Sequence, residues 1–258
     1  MNVGAVFWDV IPYVTIAILV VGTWWRYRYD KFGWTTRSSQ LYESRLLRIG
    51  SPLFHFGILV VIFGHIIGLV IPESWTSAVG LSQVGYHIQA VALGSIAGIA
   101  TLTGAAILVY RRRTKGPVFT ATTRNDKLMY AVLILAIIAG LATTLIGSGL
   151  IGEEHNYRET VSVWFRSIFI LQPDGEAMTL APLSYQIHAL IGMVLFALWP
   201  FTRLVHAFSA PIGYLFRPYI VYRSRGAARP AGPATDHQPR RRGREPTGSP
   251  GRPASRDR

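Results

Sequence analysis

The stretch "SPLFHFGILVVIFGHIIGLVIPESW", residues 51–75, decides the fold class. From Pro52 to Pro72 its only polar side chains are His55 and His65, ten residues apart. An apolar run of about 20 residues crosses the roughly 30 Å hydrocarbon core of a bilayer as a helix. Polar side chains at that depth are rare and usually functional. The stretch therefore predicts a transmembrane helix that carries two functional histidines.

Five uncharged and largely apolar stretches occur in the chain, at residues 10–25, 49–72, 88–110, 128–152 and 177–202. The first is short, but it becomes long enough if Asp9 lies at the interface and the helix begins near Val3. It has no Lys or Arg ahead of it, as a cleaved signal peptide would have, so we expect it to be a retained span. The pattern predicts an all-α integral membrane bundle of five transmembrane helices.

The charges alternate between the connecting segments. The chain has 258 residues, of which 50% are hydrophobic, and a net charge of +13. Lys and Arg cluster in segments 26–48 and 111–127, whereas segment 73–86 has none and segment 153–176 is mainly acidic. Because cytoplasmic loops carry the excess of Lys and Arg, we expect the N-terminus outside and the C-terminus in the cytoplasm. This segregation of charge excludes a soluble nucleic-acid-binding protein.

The chain divides into a membrane domain, residues 1–225, and a basic tail, residues 226–258. The tail is rich in Pro, Gly and Arg and has almost no large apolar side chains. It cannot bury enough surface to offset its ordering entropy, so we expect a disordered cytoplasmic tail that touches anionic lipid or a partner. The chain has no cysteine, which excludes iron–sulfur ligation and covalent haem attachment.

Four histidines lie within or at the ends of two predicted membrane helices: His55 and His65 on the second, His188 and His206 on the fifth. His188 and His206 are eighteen residues apart, which is five whole helical turns, so they point in the same direction. His55 and His65 are ten residues apart and point within about 80° of each other, so the two histidines of each helix can face the bundle interior. The two spans run in opposite directions, so depth pairs His65 with His188 near the outside and His55 with His206 near the cytoplasm. On straight helices His55 and His65 would be about 15 Å apart along the axis and His188 and His206 about 27 Å apart. Because these spans do not match, we expect tilted helices or tilted haem planes.

Two inward-facing imidazoles at one depth are the axial ligands that a six-coordinate haem b requires. The sequence therefore predicts two haem b groups, an inner one on His55 and His206 and an outer one on His65 and His188. A hydrogen bond between helices is the alternative for a single histidine. A His-based ion transporter is the alternative for the pairs, but such sites usually add Asp, Glu, Cys or Met at the same depth.

Further candidates lie near the two predicted haems. Arg112 and Arg203 lie at the right depth to pair with the propionates of the inner haem, although ordinary positive-inside charge also explains them. Near the outer haem, His87 could take a proton from a quinol hydroxyl, since its ordinary pKa permits exchange near neutrality. Tyr86 and Gly64 are the other candidates for that quinol site.

The sequence resembles the gamma subunit, or cytochrome b subunit, of membrane-bound respiratory nitrate reductase. The resemblance covers residues 5–225 in order, with the four histidines at the family's spacing. It is carried by "IPYVTIAILVVGTWWRYRYD", "SSQ", "LFHFGILVVIFGHIIGLVIPESW", "TATTRNDKLMYAVLILAIIAGL" and "IHALIGMVLFALWPFTRLVHAFSAPIGYLFRPYIVYRSR". The family often has a lysine near the start of the third span, where this chain has Tyr86 and His87.

The resemblance implies a dihaem anchor in a bacterial cell (inner) membrane. It would oxidise a membrane quinol near the outer haem and release protons outside. Electrons would pass through the inner haem to an iron–sulfur (beta) subunit and a molybdenum-containing catalytic (alpha) subunit in the cytoplasm. A dihaem anchor of another reductase, such as one that acts on sulfur compounds, is the alternative within the same architecture.

Overall fold

Residues 3–30, 44–147, 149 and 154–208 are described by the computed structural model, and within them the chain forms nine α-helices. They are α1 Val3–Tyr29, α2 Arg45–His65, α3 Glu73–Ala78, α4 Gln83–Thr114, α5 Gly116–Thr120, α6 Arg124–Gly147, α7 Val161–Phe169, α8 Gly175–Thr179 and α9 Leu183–Leu198. A π-helical turn, Ile66–Val70, extends α2, and two 3-10 helices, Trp199–Phe201 and Arg203–Ala207, follow α9. The predicted tail at 226–258 lies outside the described residues.

Five of these helices are long and apolar enough to cross a membrane, namely α1, α2 with its π-helical turn, α4, α6, and α9 with the 3-10 turn that follows it. The prediction of an all-α protein with five membrane spans is confirmed, and α1 begins at Val3 as expected. We name the ends of the bundle after their short helices. The α5 end holds the start of α2 and α6 and the end of α4, and the α7 end is opposite.

Close backbone contact joins α2 and α4. A Cβ atom on Gly57 would lie 2.5 Å from Thr101 Oγ1, and one on Gly104 would overlap the backbone nitrogen of Phe54. Small residues let membrane helices approach in this way, where apolar lipid provides no hydrophobic drive for association. The two glycines therefore fix the spacing of the helix that carries His55 and His65.

Residues 154–182, between α6 and α9, form a helical cap on the α7 end. Helices α7 and α8 pack against the start of α1 through a buried cluster that includes Trp8, Trp164 and Met178. The Trp164 indole donates to the Trp8 carbonyl at 2.9 Å, which satisfies the polar atom of an otherwise apolar side chain. The Asp9 carboxylate accepts from the Gly175 amide at 2.6 Å, at the N-terminus of α8. The sequence predicts only an acidic connection here.

The chain breaks its helix before His206, so the prediction that His188 and His206 lie on one continuous helix, five whole turns apart, is wrong. Pro200 lacks an amide hydrogen and cannot continue the ladder, and Thr202 is extended, with φ −123° and ψ 179°. His206 then lies on a separate 3-10 helix. Arg26 of α1 donates to the carbonyls of Pro200 at 2.6 Å and Thr202 at 2.9 Å, so these two buried carbonyls at the break have a hydrogen-bond partner. The break removes the 27 Å separation that a straight helix would impose.

Candidate functional site

Two pairs of histidines lie at opposite ends of the bundle. At the α5 end the ring centroids of His55 and His206 are 6.1 Å apart, with an interplanar angle of 71°. At the α7 end those of His65 and His188 are 6.0 Å apart, with an angle of 46°. The structure thus brings together the residues that depth alone predicts to be partners, although His206 reaches its partner from a different element.

Three of the four imidazoles are oriented by hydrogen bonds to backbone carbonyls. The acceptors are Ser51 O for His55 (2.7 Å), Val61 O for His65 (2.8 Å) and Arg203 O for His206 (2.6 Å). A carbonyl only accepts, so Nδ1 must carry the hydrogen in each case, and the neutral ring keeps a lone pair on Nε2. Metal-ligating histidines are usually fixed in this way, through the ring nitrogen that does not bind the metal.

The fourth imidazole, His188, is held by packing against α6. A Cβ atom on Gly140 would lie 2.8 Å from His188 Cε1, so only a glycine leaves room for the ring at this place. Among the described residues, His188 Nδ1 makes no hydrogen bond of good geometry. Gly140 gives no signal in the sequence, because a glycine in an apolar helix is common and His188 is 48 positions away in the chain.

The spacing of each pair fits a shared metal between two imidazoles. Two bonds of about 2 Å, plus about 1 Å from each nitrogen to its ring centroid, span about 6 Å. Within the part of the chain that the structure describes, no three His, Asp or Glu side chains come together. Each pair would therefore leave a haem iron's remaining coordination to the porphyrin, which supplies four nitrogens of its own. The residues present fit haem b.

At the α5 end, the guanidinium of Arg203 pairs with a protein carboxylate. Its Nε and Nη2 lie 2.7 Å and 3.2 Å from the two oxygens of Asp126, whose side chain is buried. Asp126 also accepts from the Thr123 amide at 3.0 Å, while its own amide donates to the Thr123 hydroxyl at 3.1 Å, which caps α6. Arg203 therefore anchors the 3-10 helix of His206 to α6, and its role toward a propionate stays a prediction.

Arg112 lies in a cleft between α4, α5 and α6. Its Nη1 donates to the Thr122 hydroxyl at 3.3 Å, and its guanidinium carbon lies 5.2 Å from the ring centroid of Tyr130. Lys127 lies over the ring of Phe119 on another wall of the same cleft. These contacts orient Arg112 by cation–π attraction, and its role toward a propionate also stays a prediction.

At the α7 end, the quinol-site candidates Tyr86 and His87 contact the segment after α6. The hydroxyl groups of Tyr86 and Tyr157 are 2.7 Å apart, and His87 Nδ1 lies 3.6 Å from Glu154 Oε1. Burial, followed by the contact with Tyr86, raises the pKa of Tyr157, so this phenol stays protonated and can donate. A Cβ atom on Gly64 would meet nothing within 4 Å. Tyr157 was not a candidate from sequence, since its loop showed no motif.

The π-helical turn after His65 is held by side chains from the cap. Three of them donate to carbonyls of that turn and its end: Ser162 to Gly68 O (2.8 Å), Arg166 to Leu69 O (3.3 Å) and Arg158 to Ile71 O (3.1 Å). Single π-helical turns are rare and are frequent at functional sites. The only signal in the sequence was a pair of arginines in an otherwise acidic segment.

His155 gives the α7 end a predictable pH dependence. Its Nε2 lies 2.8 Å from the Thr160 hydroxyl, and its ring packs on Tyr185. Burial lowers its pKa below the ordinary 6.5, against the weaker opposing effect of Glu159. The unfolded chain then binds more protons as the pH falls through 6.5, so this contribution to stability is complete above that pH and is lost below it.

We therefore expect the unfolding temperature in detergent to fall between pH 7.5 and pH 5.5. His155→Gln keeps a polar partner for Thr160 but cannot titrate. The fall in its unfolding temperature should be smaller, because the contribution of His155 is gone while the other histidines contribute equally to both proteins. Thermal unfolding followed by circular dichroism at the two pH values checks this. Equal falls in the two proteins would contradict the assignment to His155.

Comparison with known proteins gives consistent matches over almost the same length of this chain. The family described as nitrate reductase gamma subunit matches residues 4–225. The chain is 75% identical over 222 residues to the nitrate reductase-like protein NarX of Mycobacterium tuberculosis, covering 86% of this chain and 34% of that protein. The chain thus spans about a third of the length of that relative.

Two shorter relatives are covered almost completely. The nitrate reductase gamma chain of Bacillus subtilis is 42% identical over 86% of this chain and 99% of its own length. The respiratory nitrate reductase 2 gamma chain of Escherichia coli is 35% identical over 85% of this chain and 96% of its own length. With the five candidate spans, these matches make the chain a multi-pass membrane protein.

Proposed function

The chain belongs to the nitrate reductase gamma subunit family, and we propose that it is the quinol-oxidising dihaem cytochrome b subunit of a nitrate reductase in a bacterial cell membrane. One observation carries the proposal: two imidazole pairs, each about 6 Å between ring centroids, at opposite ends of a membrane bundle. Two haem b groups, when bound, would each take up and release one electron. The histidine pairs would hold them at two depths.

The two pairs would have different roles because of where they lie. We place the α7 end outside and the α5 end in the cytoplasm, in keeping with the Lys and Arg in segments 26–48 and 111–127. His65 and His188 would hold the haem that receives electrons from quinol. His55 and His206 would hold the haem that passes them to the cytoplasmic partners.

Oxidation of a quinol to a quinone releases two electrons and two protons, and residues at the α7 end would take up these protons. The Tyr86 hydroxyl lies 2.7 Å from that of Tyr157. The next residue, His87, has its Nδ1 3.6 Å from Glu154 Oε1. The neutral imidazole of His87 would accept a hydroxyl proton, and the exposed carboxylate of Glu154 would pass it to water. Gly64 leaves open space beside His65 for a flat ring. Protons would leave outside while electrons move inward, which adds to the membrane potential.

The partners of the chain follow from the family. The relatives from Bacillus subtilis and Escherichia coli are named gamma chains, which implies other chains in the same assembly. We propose that the α5 end contacts an iron–sulfur (beta) subunit, and through it a molybdenum-containing catalytic (alpha) subunit that reduces nitrate. Proteins that co-purify in mild detergent identify the reductase, and subunits of a sulfur-compound reductase would favour the alternative anchor.

Haem content tests the proposal directly. Purified membranes should show a b-type spectrum and two haems per chain. His65→Ala or His188→Ala should lose one haem and all quinol oxidation, because the remaining imidazole cannot hold a six-coordinate iron alone. His237→Ala, in the tail, is the matched control and should keep both haems. One haem or none in the unmodified protein, or intact quinol oxidation in His65→Ala, would contradict the proposal. Histidine-dependent ion flux without haem would favour a transporter.

A further inference from the structure

The cap places a buried positive charge next to the helix end that carries His65. The Arg158 side chain is only 4% exposed. Its Nη1 donates to the Thr76 hydroxyl at 3.0 Å and its Nη2 to the Ile71 carbonyl at 3.1 Å. Its guanidinium carbon lies 4.2 Å from the ring centroid of Tyr86. The side chain therefore ties α3, α4 and the end of the π-helical turn together.

No carboxylate within 4 Å balances this charge among the residues that the structure describes. The acidic residues nearest in the chain have other partners, since Glu154 contacts His87 at 3.6 Å and Glu159 accepts from Asn156 at 2.7 Å. Its polar neighbours are a hydroxyl and a carbonyl, which carry no full charge. Burial, followed by repulsion from Arg158, lowers the pKa of nearby Arg166, so the two cations share one poorly solvated region.

The same arginine also restrains the end of the π-helical turn that follows His65. The π-helical turn begins directly after His65, and side chains of the cap hold the carbonyls of Gly68, Leu69 and Ile71. Groups outside the ligand set that fix the orientation of a ligand tune the properties of the metal that the ligand binds. Arg158 therefore links the cap to the end of the turn that follows His65, and its charge lies at the same end of the bundle as the His65–His188 pair.

We propose that Arg158 is a positioning residue for the His65–His188 site, and that its unbalanced positive charge raises the reduction potential of the haem held there. This inference rests on the proposed function. A positive charge stabilises the reduced form of a haem, which has one positive charge less, and burial leaves the interaction weakly screened. A higher potential at this site favours the transfer of an electron from quinol. The cap thus tunes the electron-accepting haem.

Redox titration of the purified complex, followed optically and by electron paramagnetic resonance, tests this. In Arg158→Gln the ratio of reduced to oxidised haem at the His65–His188 site should fall about tenfold at a fixed ambient potential, the effect of one charge over roughly 10–15 Å at a dielectric constant near 20. Tenfold corresponds to about 59 mV for one electron. The haem at the His55–His206 site should change less than twofold.

Two further variants separate charge from geometry. Arg158→Lys keeps the charge but cannot donate to Thr76 and Ile71 as a planar fork. It should keep the potential within about threefold while changing the resonance line shape of that haem. Arg124→Gln removes an exposed arginine at the α5 end and is the matched control. It should move the potential of the His65–His188 haem less than twofold.

The outcome that overturns the inference is an Arg158→Gln protein that holds two haems with an unshifted potential at the His65–His188 site. If this variant loses a haem or fails to fold, Arg166→Gln carries the test, because Arg166 is half-buried and donates to the same turn. An unshifted potential there also overturns the inference. Failure of the proposed function is distinct, since it shows as fewer than two haems in the unmodified protein.

Discussion

Gly104→Ala is expected to lower the unfolding temperature by about 5–10 °C and to disturb the His55–His206 site first. The added methyl would overlap the backbone nitrogen of Phe54 and lie 2.7 Å from its Cα atom, so no side-chain rotation can relieve the contact. The two helices must move apart at the level of His55, the residue after Phe54. We estimate a cost of about 1–3 kcal/mol, typical of overpacking at a close contact.

The matched control lies on the same helix. A Cβ atom on Gly94 would come no closer than 3.6 Å to Thr144 Cγ2, an ordinary contact, so Gly94→Ala should leave stability unchanged or raise it by up to about 1 kcal/mol through better helix propensity. Thermal unfolding and haem content, measured in one detergent, compare the two variants. Equal stability of Gly104→Ala and Gly94→Ala would show that the close contact does not set the helix spacing.

Arg203→Gln is expected to release the 3-10 helix of His206 and to lose the haem at that site selectively. The variant leaves Asp126 buried without its charged partner, whose two nitrogens lie 2.7 Å and 3.2 Å from the carboxylate. Removing one member of a buried ion pair costs about 3–5 kcal/mol, and the 22% exposure of the Arg203 side chain reduces this to about 2–3 kcal/mol. Haem content and the spectrum of the remaining haem report the loss.

The double variant makes this test specific. Adding Asp126→Asn to Arg203→Gln removes the uncompensated charge. The loss of stability in the double variant should therefore be smaller than the sum of the losses in the two single variants. Arg124 is exposed and lies two residues before Asp126. Arg124→Gln should change the free energy of unfolding by no more than about 0.5 kcal/mol. Additive losses in the cycle, or a loss of the His65–His188 haem instead, would contradict the role of this ion pair as the anchor of His206.

The membrane architecture could be predicted from sequence because the bilayer imposes it. A span needs a minimum apolar length, and its backbone must satisfy its own hydrogen bonds, so length and composition locate all five spans. The partner of each histidine also follows from sequence, since antiparallel spans leave one imidazole on each helix near each face. His55 and His65 were found because a polar side chain in an apolar run is conspicuous.

The details of the site depend on residues far apart in the chain, and only the tertiary structure decided them. Pro200 warns of a break, but the path of the chain to His206 is set by Arg26 and by the pair of Arg203 with Asp126. The place of Arg158 is likewise set by packing, since a loop arginine is ordinarily solvated and this one is buried by helices from three other segments. The sequence alone therefore determined the membrane spans and the histidine partners, because depth and length act on each segment separately. The shape of the helix ends and the charge beside His65 arise from contacts between segments, which no local pattern records.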